Sequence, residues 1–162
     1  MEKRPKRVNK RSEFGHLKID TVVGKCSGHA SVLLTFTERK TRYNFIRLIK
    51  GKDVDSVSYA IKGICAEFEN LIQVIIADNG TEFTTLKEAL AGIADAYYAH
   101  PHISFARRSN ETHNRMIRRY SLDSISPKTV VMVEYHLNTL PRRTLKYQTP
   151  EKSFQIEAVH IA

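Results

Sequence analysis

Three carboxylates, Asp20, Asp78 and Glu111, are candidates for metal-dependent chemistry, and Asp20 stands where a charge needs a reason. Asp20 lies inside His16-Leu17-Lys18-Ile19-Asp20-Thr21-Val22-Val23, an alternating, β-branched stretch that reads as a strand. A charge there costs on the order of several kcal/mol unless it is paired or metal-bound. Asp78 ends the run Leu71-Ile72-Gln73-Val74-Ile75-Ile76-Ala77, the pattern of a strand buried on both faces. Glu111 opens a later helical stretch. Carboxylates gathered from separate elements suit in-line displacement at phosphorus. Two divalent ions roughly 3.5–4 Å apart, held by hard oxygens, activate the attacking hydroxyl and neutralise the leaving oxygen. Asp78 and Glu111 each have a plainer reading: Asp78-Asn79-Gly80 is also a turn, and a glutamate in a first helical turn also complements the helix dipole. Only the trio together, in its setting, singles out that chemistry.

Helical spacing from Ser109 to Tyr120 places Glu111, Asn114, Arg115 and Arg118 along one side and leaves Met116, Ile117 and Tyr120 for the core. Amide and guanidinium groups beside a metal-binding glutamate suit phosphates near the metals; an ordinary solvated face is the alternative. Seven histidines show no HExxH or paired Cys/His spacing, and no phosphate-binding G-x-x-x-x-G-K-[ST] occurs. Net charge is +9, and six of the first eleven residues are Lys or Arg against one Glu. A basic tail on a basic domain is the footprint of a phosphate-backbone binder, although solubility or attraction to anionic lipid would also account for it. Cys26 and Cys65 form no CxxC, no apolar run approaches the roughly 20 residues of a membrane span, and no signal peptide is visible. These absences lead to an expectation of a soluble protein of the reducing cytoplasm.

The elements that must position the carboxylates follow from periodicity. Strands are expected at 16–23, 30–37 and 43–49, the antiparallel meander implied by short links, then a helix to Phe68 capped by Asp53 or Asp55. A buried strand over 71–78, a helix over 81–90, a strand over 93–99 and helices over 109–120 and 126–140 complete the order. Residues 1–12 read as a basic arm or linker, 13–155 as one catalytic core and 156–162 as a C-terminal tail. This is the order of an α/β, ribonuclease H-like fold, a mixed five-stranded sheet flanked by helices, in which the first and fourth strands are neighbours. Asp20 and Asp78 would then meet across the sheet.

The residues carry a resemblance. Phe14 through Gly24, Leu34 through Arg42, Asp78-Asn79-Gly80-Thr81-Glu82-Phe83, Ser109 through Arg118, and Leu137-Asn138 through Tyr147-Gln148-Thr149-Pro150-Glu151 are similar to the integrase catalytic core of IS30-family bacterial insertion-sequence transposases, in the retroviral-integrase superfamily. Four ordered blocks and a tail, from about Val8 to Phe154, make the match specific. It implies a DDE triad on Asp20, Asp78 and Glu111, the last two 33 positions apart, as catalytic residues and ligands of two Mg²⁺ or Mn²⁺ ions. It implies DNA cleavage at element ends and strand transfer by the freed 3′-hydroxyl. The implied partners are DNA, as transposon ends and target, and further copies of the chain; no membrane or small-molecule substrate is expected. Asn79, Gly80 and Glu82 would shape the loop after the second aspartate. Arg107, Arg108, Asn110, Asn114, Arg115 and Arg118 would contact DNA, and the protein would work beside the bacterial nucleoid.

Three departures from the family stand out. Leu17 and Lys18 occupy positions where it usually has Trp and an acidic residue, Phe105-Ala106-Arg107-Arg108-Ser109 replaces its Trp-Glu-Arg-Gly-Thr pattern, and no end-reading helix-turn-helix region precedes the core. The chain is therefore expected to be an excised core or a truncated gene product. Two other readings remain beside strand transfer: a plain nuclease of the same fold, and a decayed core that binds DNA or self-associates.

Overall fold

The computed structural model describes residues 5, 8, 10–24, 32–99, 114–118 and 125–161. Five strands form one sheet: β1 (His16–Val23), β2 (Val32–Glu38), β3 (Asn44–Ile49), β4 (Val74–Ala77) and β5 (Asp95–Tyr98). Their order is β3-β2-β1-β4-β5, with β1–β2 and β2–β3 antiparallel and β1–β4 and β4–β5 parallel. The mixed five-stranded sheet and the neighbouring first and fourth strands agree with the sequence expectation.

The crossover from β3 to β4 passes through α1 (Val54–Glu67). Asp53 caps it by accepting from the Ser56 backbone N–H at 2.8 Å, which decides between the two candidate caps. Val57, Ile61, Ile64 and Cys65, at helical spacing, face the sheet. On that face they meet Leu17 and Ile19 of β1, Leu34 and Phe36 of β2, Phe45 of β3 and Ile75 and Ala77 of β4. Beside this core, Phe14, Tyr43, Phe45, Phe68 and Phe154 form an aromatic cluster, with ring centroids 4.6–5.1 Å apart at the closest pairs.

The opposite face is covered in two separate patches. In one, α3 (Pro127–Thr139), capped by Ser126, sets Val130, Val133 and Leu137 against Val22, Leu33 and Ile46. In the other, Val8 packs on Val74 and Ile76. Helix α3 also closes the sheet edge. Asn138 accepts from the Asn44 N–H and donates to the Asn44 carbonyl, both at 2.8 Å, and Glu134 accepts from the Ile46 N–H at 2.6 Å. These side chains take the place of a sixth strand and satisfy backbone groups that would otherwise invite edge pairing.

Some elements differ from the periodicity reading. The buried strand is shorter, Val74–Ala77, and the helix expected over 81–90 is a 3₁₀ turn (Thr81–Phe83) followed by a one-turn α2 (Leu86–Ala89). Thr84 and Thr85 separate them: β-branched residues restrict the helix, and the Thr84 hydroxyl bonds back to the Thr81 carbonyl at 3.0 Å. A 3₁₀ turn (Arg143–Leu145) and a helix, α4 (Pro150–Val159), end the described chain. Helix α4 runs across the boundary read between residues 155 and 156 and brings Phe154 into the aromatic cluster. Of the helix expected over 109–120, residues 114–117 are helical and the remainder, apart from Arg118, lies outside the described residues.

Candidate active site

The β1–β4 ladder pairs His16 with Val74 and Lys18 with Ile76, a constant offset of 58 positions. Continued by two residues, it brings Asp20 level with Asp78. Alternation fixes the face. Val22 belongs to the α3-covered patch and Val74 and Ile76 to the Val8 patch, so Lys18, Asp20 and Asp78 share that side of the sheet. The carboxylates thus occupy the gap between two apolar patches. Asp20 is half-buried, and Asp78, one residue past the end of β4, reaches solvent.

Each carboxylate is aimed by one of its oxygens. Asn114 donates from Nδ2 to Asp20 Oδ2 at 2.8 Å, and the Gly80 backbone N–H donates to Asp78 Oδ1 at 3.1 Å. Among the described residues no further side-chain hydrogen bond reaches Asp20 Oδ1 or Asp78 Oδ2. Partial loss of hydration on its inner side raises the Asp78 carboxyl above its ordinary value, and the negative charges of Asp20 and Glu82 add to this. Lys18 is half-buried on the same face. Burial lowers its ammonium, and the attraction of Asp20 and Asp78 opposes that shift. Two carboxylates that repel one another, each with an oxygen left for a hard cation, are a donor set that a divalent ion fits.

The structure brings together part of the predicted site. Asn114 is buried against Asp20, whereas Arg115 on the same short helix and Arg118 in the turn that follows it are exposed. Ile117 is buried and Met116 packs beside it, the core role read from spacing. Glu111, Asn110, Arg107 and Arg108 lie outside the described residues. Among the described residues no group of three or more His, Cys, Asp or Glu is placed to hold a metal ion, so Asp20 and Asp78 have no third carboxylate there. Periodicity missed the contacts of Glu82, whose carboxylate is buried and turned toward Thr21 and Lys52. No local signal connects those three positions.

Because the Asn114 amide orients Asp20 without itself supplying a charged ligand, Asn114→Ala is expected to weaken Mn²⁺ affinity by roughly 10–100-fold, the usual effect of removing an outer-shell partner. Calorimetry on the folded variant reads this; an unchanged affinity would assign Asn114 to packing alone.

Known proteins share both the sequence and the fold. The chain is 33% identical over 161 residues to the transposase for insertion sequence element IS4351 of Bacteroides fragilis, covering 96% of this chain and 49% of the relative. It is 34% identical over 162 residues to a probable transposase for the insertion-like element IS1161 of Streptococcus salivarius, covering 96% and 46%. With the transposase InsI of an IS30 element from Escherichia coli K12 the identity is 28%, over 94% of this chain and 41% of that protein. The chain therefore spans about half the length of the curated relatives it matches. No family model matches it. In structure it is similar to the crystallised catalytic core domain of BIV integrase, with a TM-score of 0.69, 13% identity, and coverage of 91% of this chain and 97% of that one. At that identity the likeness establishes the fold, which is that of an integrase core.

Proposed function

We propose, for a chain homologous over nearly its whole length to the transposases of bacterial insertion sequences, that it is the catalytic core of such an enzyme, cutting DNA strands and joining the freed 3′-hydroxyl to a second DNA. Asp20, Asp78 and Glu111 are its carboxylate triad. The observation that carries this reading is the β1–β4 register, which, continued two residues past Lys18–Ile76, brings Asp20 level with Asp78 on one face, with Asn114 bonded to Asp20. Glu111, outside the described residues, precedes by three positions Asn114, which is in hydrogen-bond contact with Asp20.

Two Mg²⁺ or Mn²⁺ ions, when bound, would supply an activated hydroxyl and a neutralised leaving oxygen. The protein's own residues do the positioning. Asp20 and Asp78 present one oxygen each, Asn114 and the Gly80 N–H fix the other two, and the sheet holds the pair rigidly. Exposed Arg115 and Arg118 make no ion pair with an acidic side chain among the described residues, which leaves them available to DNA phosphates beside the carboxylates. Asn110, Arg107 and Arg108, which lie outside the described residues, are assigned to DNA contact on the sequence alone. The net charge of +9 suits the same partner. Among the described residues no helix is long and apolar enough to cross a membrane. We place the protein in the cytoplasm with the nucleoid, acting as a homo-oligomer on transposon ends and target.

Lys18 favours a second reading. A lysine on the carboxylate face opposes the approach of divalent cations, as expected of a core that retains DNA binding with reduced catalysis. Supercoiled plasmid with Mn²⁺ separates the readings. Nicked and joined products, both abolished by Asp20→Asn, support the transposase core, and nicks without joined products indicate a nuclease. DNA binding with neither product supports the decayed core.

A further inference from the structure

Glu82 is the most enclosed carboxylate near the candidate site among the described residues: its side chain is 3% exposed, although it belongs to a short turn at the sheet's end. It is held from two directions. The Thr21 hydroxyl donates to Oε1 at 2.8 Å, and the Lys52 ammonium lies 3.2 Å from the same oxygen. Thr21 follows Asp20 on β1, and Lys52 sits in the link between β3 and α1. Burial acts to raise the Glu82 carboxyl, but its own backbone N–H, Thr21 and Lys52 outweigh burial and hold it below the ordinary value, so it is ionised at neutral pH. With Lys52 half exposed, the ion pair itself contributes little to stability. What this one does is join three segments that are remote in sequence.

Gly80 shows where the force goes. Its φ of −68° and ψ of 146° suit any residue, so backbone freedom does not require glycine here. Space does. A Cβ at Gly80 would overlap Glu82 Oε2 and stand 2.7 Å from Cδ. A free glutamate would swing aside, but this one is pinned through Oε1 to Thr21 and Lys52. The Glu82 carboxylate therefore lies against Gly80, and the Gly80 N–H in turn holds Asp78 Oδ1.

We infer that Glu82 is a positioning residue: through Thr21 and Gly80 it clamps the turn bearing Asp78 to the strand bearing Asp20, and position 80 is glycine to admit it. This rests on the reading of Asp20 and Asp78 as a metal site. Removing the carboxylate frees Gly80, and the Gly80 N–H then holds Asp78 less firmly. Adding a methyl at position 80 pushes the carboxylate off Thr21 with the same result, so the two changes act on one contact.

The test uses the full chain and two readouts. The first needs no metal: NMR of the Gly80 amide, its chemical shift and its exchange with solvent. Glu82→Ala and Thr21→Val, the latter removing only the hydroxyl, are expected to shift that resonance and speed its exchange. Glu82→Gln, which still accepts from Thr21, restores both. The second is Mn²⁺ affinity by calorimetry. Glu82→Ala and Gly80→Ala are each expected to lose roughly 10-fold, and the double variant no more than either alone. A Gly80 amide unchanged in folded Glu82→Ala and Thr21→Val chains, or additive losses in the double variant, overturns the clamp. If the amide responds but the wild-type chain binds no Mn²⁺, with or without duplex DNA, the clamp stands as a device of the turn, and the metal-site reading and Glu82's part in it fall. Asp78→Asn, which removes a ligand and keeps the turn, is the control separating those two failures.

Discussion

Asp78→Asn is expected to eliminate metal-dependent DNA cleavage while leaving the fold as stable as before. The substitution keeps an oxygen for the Gly80 N–H, which lies 3.1 Å from Asp78 Oδ1, so the turn survives. What disappears is the charge. A ligand that supplies both charge and an oxygen outweighs an outer-shell group, so the loss of Mn²⁺ affinity should exceed the roughly 100-fold at the upper end for such groups. Asp20→Asn should behave alike, and the double variant should be no worse than either, because residues acting as one unit do not contribute additively.

The stability side has a definite sign. Burial, then Asp20 and Glu82, raise the Asp78 carboxyl above its ordinary value. The folded chain therefore binds that proton more tightly than the unfolded chain does. Ionised Asp78 opposes folding at neutral pH, and this penalty is relieved as pH falls through the raised value. Asparagine removes it, so the Tm of Asp78→Asn at neutral pH should equal or exceed that of the wild type. Divalent ions must also displace the proton, so wild-type affinity should fall as pH is lowered toward the raised value, above the range where a free aspartate protonates. A variant that cuts DNA with Mn²⁺ at the wild-type rate would remove Asp78 from the site. One that fails to cut but is also markedly less stable would make the residue structural.

Phe45→Ala is expected to be the most damaging change away from the carboxylates. Phe45 is 2% exposed, and its ring stands 4.9 Å from Tyr43, 4.6 Å from Phe68 and 5.6 Å from Phe154. Its removal empties the point where β3, the end of α1 and α4 meet. Truncating a buried phenylalanine costs about 3–5 kcal/mol, and losing tilted and edge-on ring pairs adds roughly 0.5–1.5 kcal/mol for each well-formed pair. Against a typical total stability of about 5–15 kcal/mol, this takes the chain to the edge of folding. Denaturant unfolding should show a lower midpoint with an unchanged m-value. A loss below about 1 kcal/mol would mean that the cluster refills the space, with α4 free to move inward.

Much of the architecture was legible because it is written in short-range patterns. The alternation of His16–Val23 marks β1 to the residue, the 3.6-residue spacing of Val57, Ile61 and Ile64 marks α1, and Ser126 before Pro127 marks the start of α3. Asp20 stood out for a local reason too, as a charge where the pattern demands an apolar or neutral residue. The helix expected over 81–90 failed for a local reason of the opposite kind, since a run containing three threonines satisfies periodicity but not helix geometry.

By itself, then, the sequence determined most of the strands, the long helices and the faces they bury, and marked Asp20 as exceptional; periodicity and capping act within a few residues, so their record is local. The tertiary structure alone decided how the site is held. Asn114 meets Asp20 across 94 positions, Glu82 meets Thr21 across 61, and Asn138 and Glu134 close the β3 edge across 94 and 88. These are polar contacts made by side chains whose directions depend on the register of the sheet and on how the chain packs against it. No period or spacing in the chain encodes them. That is also why Gly80 read as a turn residue, when its lack of a side chain is explained only by the carboxylate that the fold lays against it.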